Sequence, residues 1–271
     1  MKIKYYCPVW GMKHMPLGDA LRMIKQWGYE GAEIALNPDI QNMQEVKLIF
    51  EDNGLDLLVQ YPYARDGSFE QLRDKYLTSL EILLGLEPVM INSHTGKDYF
   101  TVGQNVELIN TAQRLSAASG ITIAHETHRG KFSYSASVMA AYLDAVPDIK
   151  ITADLSHWCV VSESLLEDQQ DAIDRVIPHC VYIHARVGYA QGPQVPDPAA
   201  PEYEKELKRH VSWWQQIVNH HTRAGSNELI ITPEFGPVPY MHTYPYSNKP
   251  VASQFDANLF MKDYLAKSLV V

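Results

Sequence analysis

A chain of 271 residues with 46% hydrophobic and 20% charged residues can bury a sizeable core, which excludes a disordered, collagenous or coiled-coil protein. Its 23 basic against 32 acidic residues give a formal charge of −9, a field that repels nucleic-acid phosphate and anionic lipid. No apolar run approaches the roughly 18 residues of a membrane span, the start Met1-Lys2-Ile3-Lys4-Tyr5 lacks a signal-peptide pattern, and Cys7, Cys159 and Cys180 form no CxxC pair, so the expectation is a soluble cytoplasmic protein with reduced thiols.

Short apolar runs alternate with stretches of helical period eight times along the chain. The strand candidates are residues 3–9, 31–36, 55–60, 88–93, 121–126, 149–154, 180–184 and 228–234. Helix candidates follow, beginning near Leu17, Asp39, Phe69, Val102, Ser135, Leu165, Glu202 and Ser253, several opened by an Asp, Ser or Thr cap or by Pro in the first turn. Gly28, Gly54 and Gly120 stand where a helix should stop and the next strand begin, the usual left-handed exit of such a unit. Strands that read as continuous apolar runs, such as Ile121-Thr122-Ile123-Ala124, suit a parallel sheet buried on both faces.

Eight strand-helix units close into a single (β/α)₈ TIM barrel of about 250 residues, and no linker or composition shift marks a second domain, so residues 1–271 are expected to form one domain. The length leaves room for two long loops, 187–201 and 235–252, both rich in Pro, Gly and Tyr. Both follow strands and so belong to the face where barrel enzymes keep their sites.

Strands five to eight end in Ala124-His125-Glu126, Thr152-Ala153-Asp154, Tyr182-Ile183-His184 and Thr232-Pro233-Glu234. Three carboxylates and one imidazole around one barrel mouth form an oxygen and nitrogen donor set suited to Mn²⁺, Mg²⁺, Co²⁺ or Zn²⁺, and without thiolates it does not favour a closed structural zinc. Taken singly, each of these groups also fits a polar strand end that caps a helix or sits solvated at the rim.

The strings His125-Glu126-Thr127-His128, Asp154-Leu155-Ser156-His157, Ile183-His184-Ala185-Arg186 and Thr232-Pro233-Glu234-Phe235-Gly236 resemble the xylose-isomerase-like barrel superfamily of sugar phosphate isomerases and epimerases, and the likeness spans the chain. It implies that one divalent ion, manganese first among the candidates, is held by Glu126, Asp154, His184 and Glu234, in the manner of the ketose 3-epimerases, and that His157 stands beside the substrate. The implied activity is isomerisation or epimerisation of a small carbohydrate. Glu126 and Glu234 would take and return a proton alpha to a carbonyl through an enediolate stabilised by the ion.

Other candidates lie close by. His94 opens His94-Thr95-Gly96-Lys97, which resembles the superfamily's His-x-Gly string and implies a substrate contact. Lys97, Arg129 and Arg186 follow strands four, five and seven; they either hold a phosphate or carboxylate of the substrate or neutralise the acidic mouth. Trp10 and Trp158, with Tyr61, Tyr63, Tyr240, Tyr244 and Tyr246, fall within or beyond strand ends, where rings stack on sugar C–H faces or pack in the core. Of Trp213 and Trp214 in helix seven, one is expected on the barrel and the other at a surface or subunit contact; no motif tests self-association.

The pattern departs from the superfamily where an Arg is usual several residues beyond the metal His, since Arg186 follows His184 at two. Free ketose, sugar phosphate, keto-inositol and 3-keto-glycoside therefore stay open as substrates, and so does a dehydratase or lyase reaction starting from the same proton abstraction. The apurinic-endonuclease branch, with three zinc ions, shares His94, Glu126, Asp154, His157, His184 and Glu234, and Asp197 stands 13 residues past His184. Ala199 and the strand-three end, Gln60-Tyr61, lack two of that branch's ligands. A sugar-binding barrel without catalysis is the remaining alternative.

Overall fold

The computed structural model describes residues 1–63 and 67–271. Eight parallel strands close into one barrel in sequence order: β1 (Lys2–Pro8), β2 (Gly31–Ala35), β3 (Asp56–Tyr61), β4 (Met90–Ser93), β5 (Thr122–Glu126), β6 (Ile151–Ala153), β7 (Cys180–His184) and β8 (Glu228–Thr232). The ring closes where Lys2 to Tyr5 of β1 pair with Glu228 to Ile231 of β8. Helices α1 (Leu17–Gln26), α2 (Met43–Asn53), α3 (Phe69–Leu84), α4 (Val102–Ser119), α5 (Ala136–Ala145), α6 (Ser156–Val161), α7 (Gln170–Val176), α8 (Glu204–Arg223) and α9 (Gln254–Ser268) surround it. Among the described residues no helix is long and apolar enough to cross a membrane.

The helix boundaries follow local chemistry. Ser68 and Thr101 form reciprocal capping boxes with Gln71 and Gln104 at the starts of α3 and α4. Gly28, Gly54 and Gly120 all take the positive φ expected at helix exits. Helix α2 starts later than expected, because the Asp39 amide is held by Asn37 Oδ1 in a turn and Asn42 is the residue whose side chain caps Glu45. Helix α7 likewise begins at Gln170, since Arg209 bonds the carbonyls of Leu165 and Leu166 and keeps that stretch outside the helix. Helix α6, directly after β6, had no counterpart in the pattern; at six residues it is too short to show a helical period.

Two outer core clusters, one around β1 to β4 and one around β5 to β8, fill the space between strands and helices. A third lies inside the barrel, made by Tyr6, Leu58, Met90, Ala124, Tyr182 and Ile230. Side chains alternate along a strand, so the residue two positions on points the same way. Two positions beyond Leu58, Met90, Ala124 and Tyr182 stand Gln60, Asn92, Glu126 and His184. The lumen is thus apolar below and polar at its C-terminal end, and this switch positions the site.

Trp213 and Trp214 correct an expectation: both are fully buried. His210 packs edge-on to Trp213 and tilted against Trp214, so the inner side of α8 accommodates both rings and neither reaches a surface.

Candidate metal centre

The polar layer converges on His184. Its Nε2 lies 3.0 Å from Glu33 on β2, and its Nδ1 lies 2.9 Å from Glu234 Oε2 and 3.5 Å from Glu126 Oε2. Asn92 Nδ2 donates to Glu126 Oε2 at 2.7 Å and to Glu33 Oε1 at 3.2 Å, and Gln60 Nε2 donates to Glu234 Oε1 at 3.2 Å. Asp154 follows β6 and is fully buried; its Oδ1 accepts from the Ser156 amide and hydroxyl, its Oδ2 from Arg186.

Glu126, Asp154, His184 and Glu234 each offer one ligand atom, all within 4.8 Å of one another. Their orientation fits a cation. With the Nε2 proton given to Glu33, Nδ1 faces Glu234 Oε2 at 2.9 Å, and Arg186 Nη2 stands 3.4 Å from the same oxygen. Two buried acceptors at 2.9 Å repel unless a proton or a metal ion lies between them. The cluster of acidic and imidazole groups has the donor chemistry to bind a divalent ion.

Burial and neighbouring charge perturb Glu33, Asp154, His184 and Glu126. Burial raises Glu33, reinforced by Glu234 and Glu126 against the pull of His184. Burial and the same two carboxylates push Asp154 up to about 6, against Arg186. Burial would lower His184, but Glu234, Glu33 and Glu126 overcome it and hold the imidazole well above its usual range. Burial would also raise Glu126, yet His94 and His184 bring it well below the carboxylate range.

The remaining sequence candidates separate into those at the site and those elsewhere. His94 Nε2 is 2.9 Å from Glu126 Oε2. His157 Nε2 is 2.9 Å from Arg186 Nη2 and 3.6 Å from Asp154. Arg186 is buried and engaged with Asp154, Ser156 and, at 3.4 Å, Glu234. Arg129 and Arg186 lie 5.1 and 4.7 Å from the Tyr240 ring centre, and Trp10 meets the same ring edge-on at 5.1 Å. Tyr240 therefore roofs the mouth.

Lys97 is tied in through its backbone, which exchanges two hydrogen bonds with Asn105. Trp158 is a correction: it is fully buried in the outer core, and its indole donates to Ser133 O at 2.7 Å. Being carried on α6, it turns away from the mouth. Tyr61 is buried in the core beside Tyr76, whereas Tyr244 and Tyr246 are exposed. Asp197 Oδ1 accepts from the Ala199 amide in its own loop and belongs to no metal-ligand group among the described residues.

Glu33, Asn92, Gln60 and His128 were missed. A signal existed for Glu33, a lone charge within the apolar run Gly31-Ala32-Glu33-Ile34-Ala35, where an unpaired carboxylate would be costly to bury. A separate groove of about 560 Å³ beside α7 and α8 contains Lys205, Lys208 and Arg209. These are bound to Glu167, Glu204 and backbone carbonyls respectively, so no free charges converge there.

Residues 21–221 match the model of the xylose isomerase-like TIM barrel family. The chain belongs to that family. Within the solved structures, a family 2 AP endonuclease from Brucella melitensis is 14% identical, with a TM-score of 0.64 and 96% of this chain and 98% of that one covered. A xylose isomerase-like TIM barrel protein from Mycobacterium smegmatis in complex with magnesium is 11% identical, at TM-score 0.62 and 98% coverage of both chains. The 3-keto-D-glucoside 4-epimerase from E. coli, in its apo form, is 14% identical at TM-score 0.60, covering 98% of this chain and all of that one, at 100%. Identities this low carry the fold of the xylose isomerase-like barrel and not an activity. No curated protein matches the sequence.

Proposed function

We infer that this xylose isomerase-like barrel is a metal-dependent isomerase or epimerase, a single domain acting on a small carbohydrate by proton transfer alpha to a carbonyl. The observation that supports it is the convergence of Glu126, Asp154, His184 and Glu234 on one point, with His184 Nδ1 and Glu234 Oε2 2.9 Å apart. These four residues would hold one divalent ion, manganese or magnesium in preference to softer metals because three of four donors are carboxylates. Bound there, the ion supplies Lewis-acid polarisation of a carbonyl and compensates charge that develops on the substrate oxygens.

The protein's own groups account for the rest. Glu126, held ionised by its neighbours, would take the proton and Glu234 return it, or the reverse. Asn92 and Gln60 fix the two carboxylates through donated hydrogen bonds. His157 and His94 border the cluster as substrate contacts, and Tyr240 with Trp10 forms an aromatic cover that excludes water and stacks on a sugar face. A formal charge of −9 opposes a nucleic-acid substrate, and three buried free thiols suit the reducing cytoplasm.

The test is solvent-deuterium exchange into a panel of ketoses, sugar phosphates and keto-glycosides by the manganese-loaded protein. Exchange is expected in the wild type and lost in Glu126→Gln and Glu234→Gln, both folded by circular dichroism. Near-wild-type exchange in either variant would remove the two-carboxylate mechanism. Loss of a hydroxyl from the substrate would replace isomerisation with elimination.

A further inference from the structure

We propose that Arg129 binds an anionic group of the substrate, a phosphate or a carboxylate, and so restricts this site to acidic sugars. The assignment rests on the isomerase or epimerase reading and deepens it by naming the substrate class. Two guanidiniums meet the Tyr240 ring, Arg129 at 5.1 Å and Arg186 at 4.7 Å from its centre, and they differ in what else they touch. Arg186 is fully buried and pairs with Asp154 and Glu234, so its charge is committed to the polar layer. Arg129 is half-buried, and among the described residues its guanidinium forms no hydrogen bond or ion pair and meets the Tyr240 ring. A ring face satisfies none of the five N–H donors of a guanidinium, whereas a phosphate or carboxylate takes two of them in parallel.

The backbone holds Arg129 at the corner of a fixed turn. The Lys131 amide donates to the His128 carbonyl at 3.1 Å across Arg129 and Gly130, and Gly130 takes φ 74°, the left-handed position that a type II turn gives to glycine. The His128 ring donates from Nδ1 to the Arg129 carbonyl at 2.6 Å. The Ser133 hydroxyl accepts from the His128 amide at 3.3 Å and donates to the Glu126 carbonyl. The turn is thereby tied to the strand end that carries Glu126, and little backbone entropy is left to lose when the guanidinium grips an anion.

Placement argues for the far end of a substrate. Tyr240 also meets Trp10 edge-on at 5.1 Å and the His157 ring at 6.4 Å, so Arg129 stands at the aromatic cover, one ring away from the arginine that holds Asp154. Glu33, Glu126, Asp154 and Glu234 are buried below, and an acidic group brought among them would be repelled. A sugar with its carbonyl at the four-ligand cluster would instead carry its anion toward the rim, where Arg129 is the cation without a carboxylate of its own.

Calorimetric titration of the manganese-loaded protein with D-fructose, D-fructose 6-phosphate and D-fructuronate compares a neutral sugar with two anionic forms of one skeleton. The phosphate, the carboxylate or both should bind about 10- to 100-fold more tightly than fructose, the increment of a charge-assisted pair; which of them gains distinguishes sugar phosphates from sugar acids. Arg129→Gln should remove the preference, and Arg129→Lys, which keeps the charge but not the fork, should keep part of it. Arg175→Gln, which removes a distant cation paired with Asp144, should keep all of it. No gain for either anion, a gain that survives Arg129→Gln, or an equal fall in Arg175→Gln overturns the proposal. Where Arg129→Gln does not fold by circular dichroism, Arg129→Lys decides, and an undiminished preference there overturns it. Binding is read without turnover. A protein that shows the Arg129-dependent preference yet exchanges no deuterium loses the isomerase reading alone, and one that exchanges deuterium without the preference loses the anion site alone.

Discussion

Replacing Glu33 by Gln isolates the carboxylate that orients the His184 imidazole. Glu33 is buried and lies 3.0 Å from His184 Nε2, so its negative charge fixes the tautomer, directs Nδ1 toward Glu126 and Glu234, and makes that nitrogen a stronger donor. A neutral amide accepts the same hydrogen bond without the charge and roughly halves its strength. Loss of such a partner typically weakens metal binding by about 10- to 100-fold, or about 1.4 to 2.8 kcal/mol. The assay is competition of manganese against a chelator of known affinity. Thermal melting of the metal-free protein serves as control: it should hold or rise, because the substitution removes one of four crowded carboxylates. Unchanged manganese affinity in a folded Glu33→Gln protein would refute the placement of His184 as a ligand oriented by Glu33.

Manganese added in hundredfold excess over its dissociation constant should stabilise the wild type by about 2.7 kcal/mol, and Asp154→Ala should lose most of that gain; an equal shift in melting temperature for both proteins would exclude Asp154 as a ligand. His210 is buried, its Nδ1 donating to Glu206 O at 2.9 Å and its Nε2 accepting from the Gly188 amide at 3.2 Å, and burial holds its pKa down to about 4. The unfolded chain takes up that proton near 6.5, so this contribution is full above pH 6.5 and falls by about 1.4 kcal/mol per pH unit down to about 4, roughly 3 kcal/mol in all; urea unfolding of His210→Gln should show a shallower acid slope, and identical slopes would count against it. Gly236→Ala would place a methyl carbon in steric clash with the edge of the Trp10 ring, for an expected loss of about 1–3 kcal/mol measurable by denaturant melts, and an unchanged midpoint would show that Trp10 does not pack there.

The eight alternations and the four candidate ligands at strand ends were legible because they depend on short-range patterns, namely period, caps and the residues that close each strand. Glu33, Asn92 and Gln60 were harder to read, since their roles depend on which strand face turns inward, and parallel strands buried on both sides carry no polar alternation to reveal it. The Tyr6 and Leu58 layer shows the inward face once the barrel is closed. Trp158 illustrates the opposite difficulty: it follows a strand end in sequence, but one turn of α6 rotates it into the core beside Ser133. His128 lies in the His125-Glu126-Thr127-His128 string, but its contact with the His94 ring, 4.5 Å between centroids, depends on the closed barrel and has no short-range signal.

The middle of the first long loop is joined to the start of the second, with Gln194 Nε2 donating to Gly236 O at 3.2 Å and the Gly236 amide donating to Gln194 Oε1 at 2.7 Å. Such a two-point clasp makes residues 187–201 and 235–252 one module for protein engineering. A loop graft that changes the pocket by replacing one of them alone strands a buried amide on the other, whereas exchanging both as a matched pair carries the clasp with it, so selectivity on this scaffold should be transferable only in pairs.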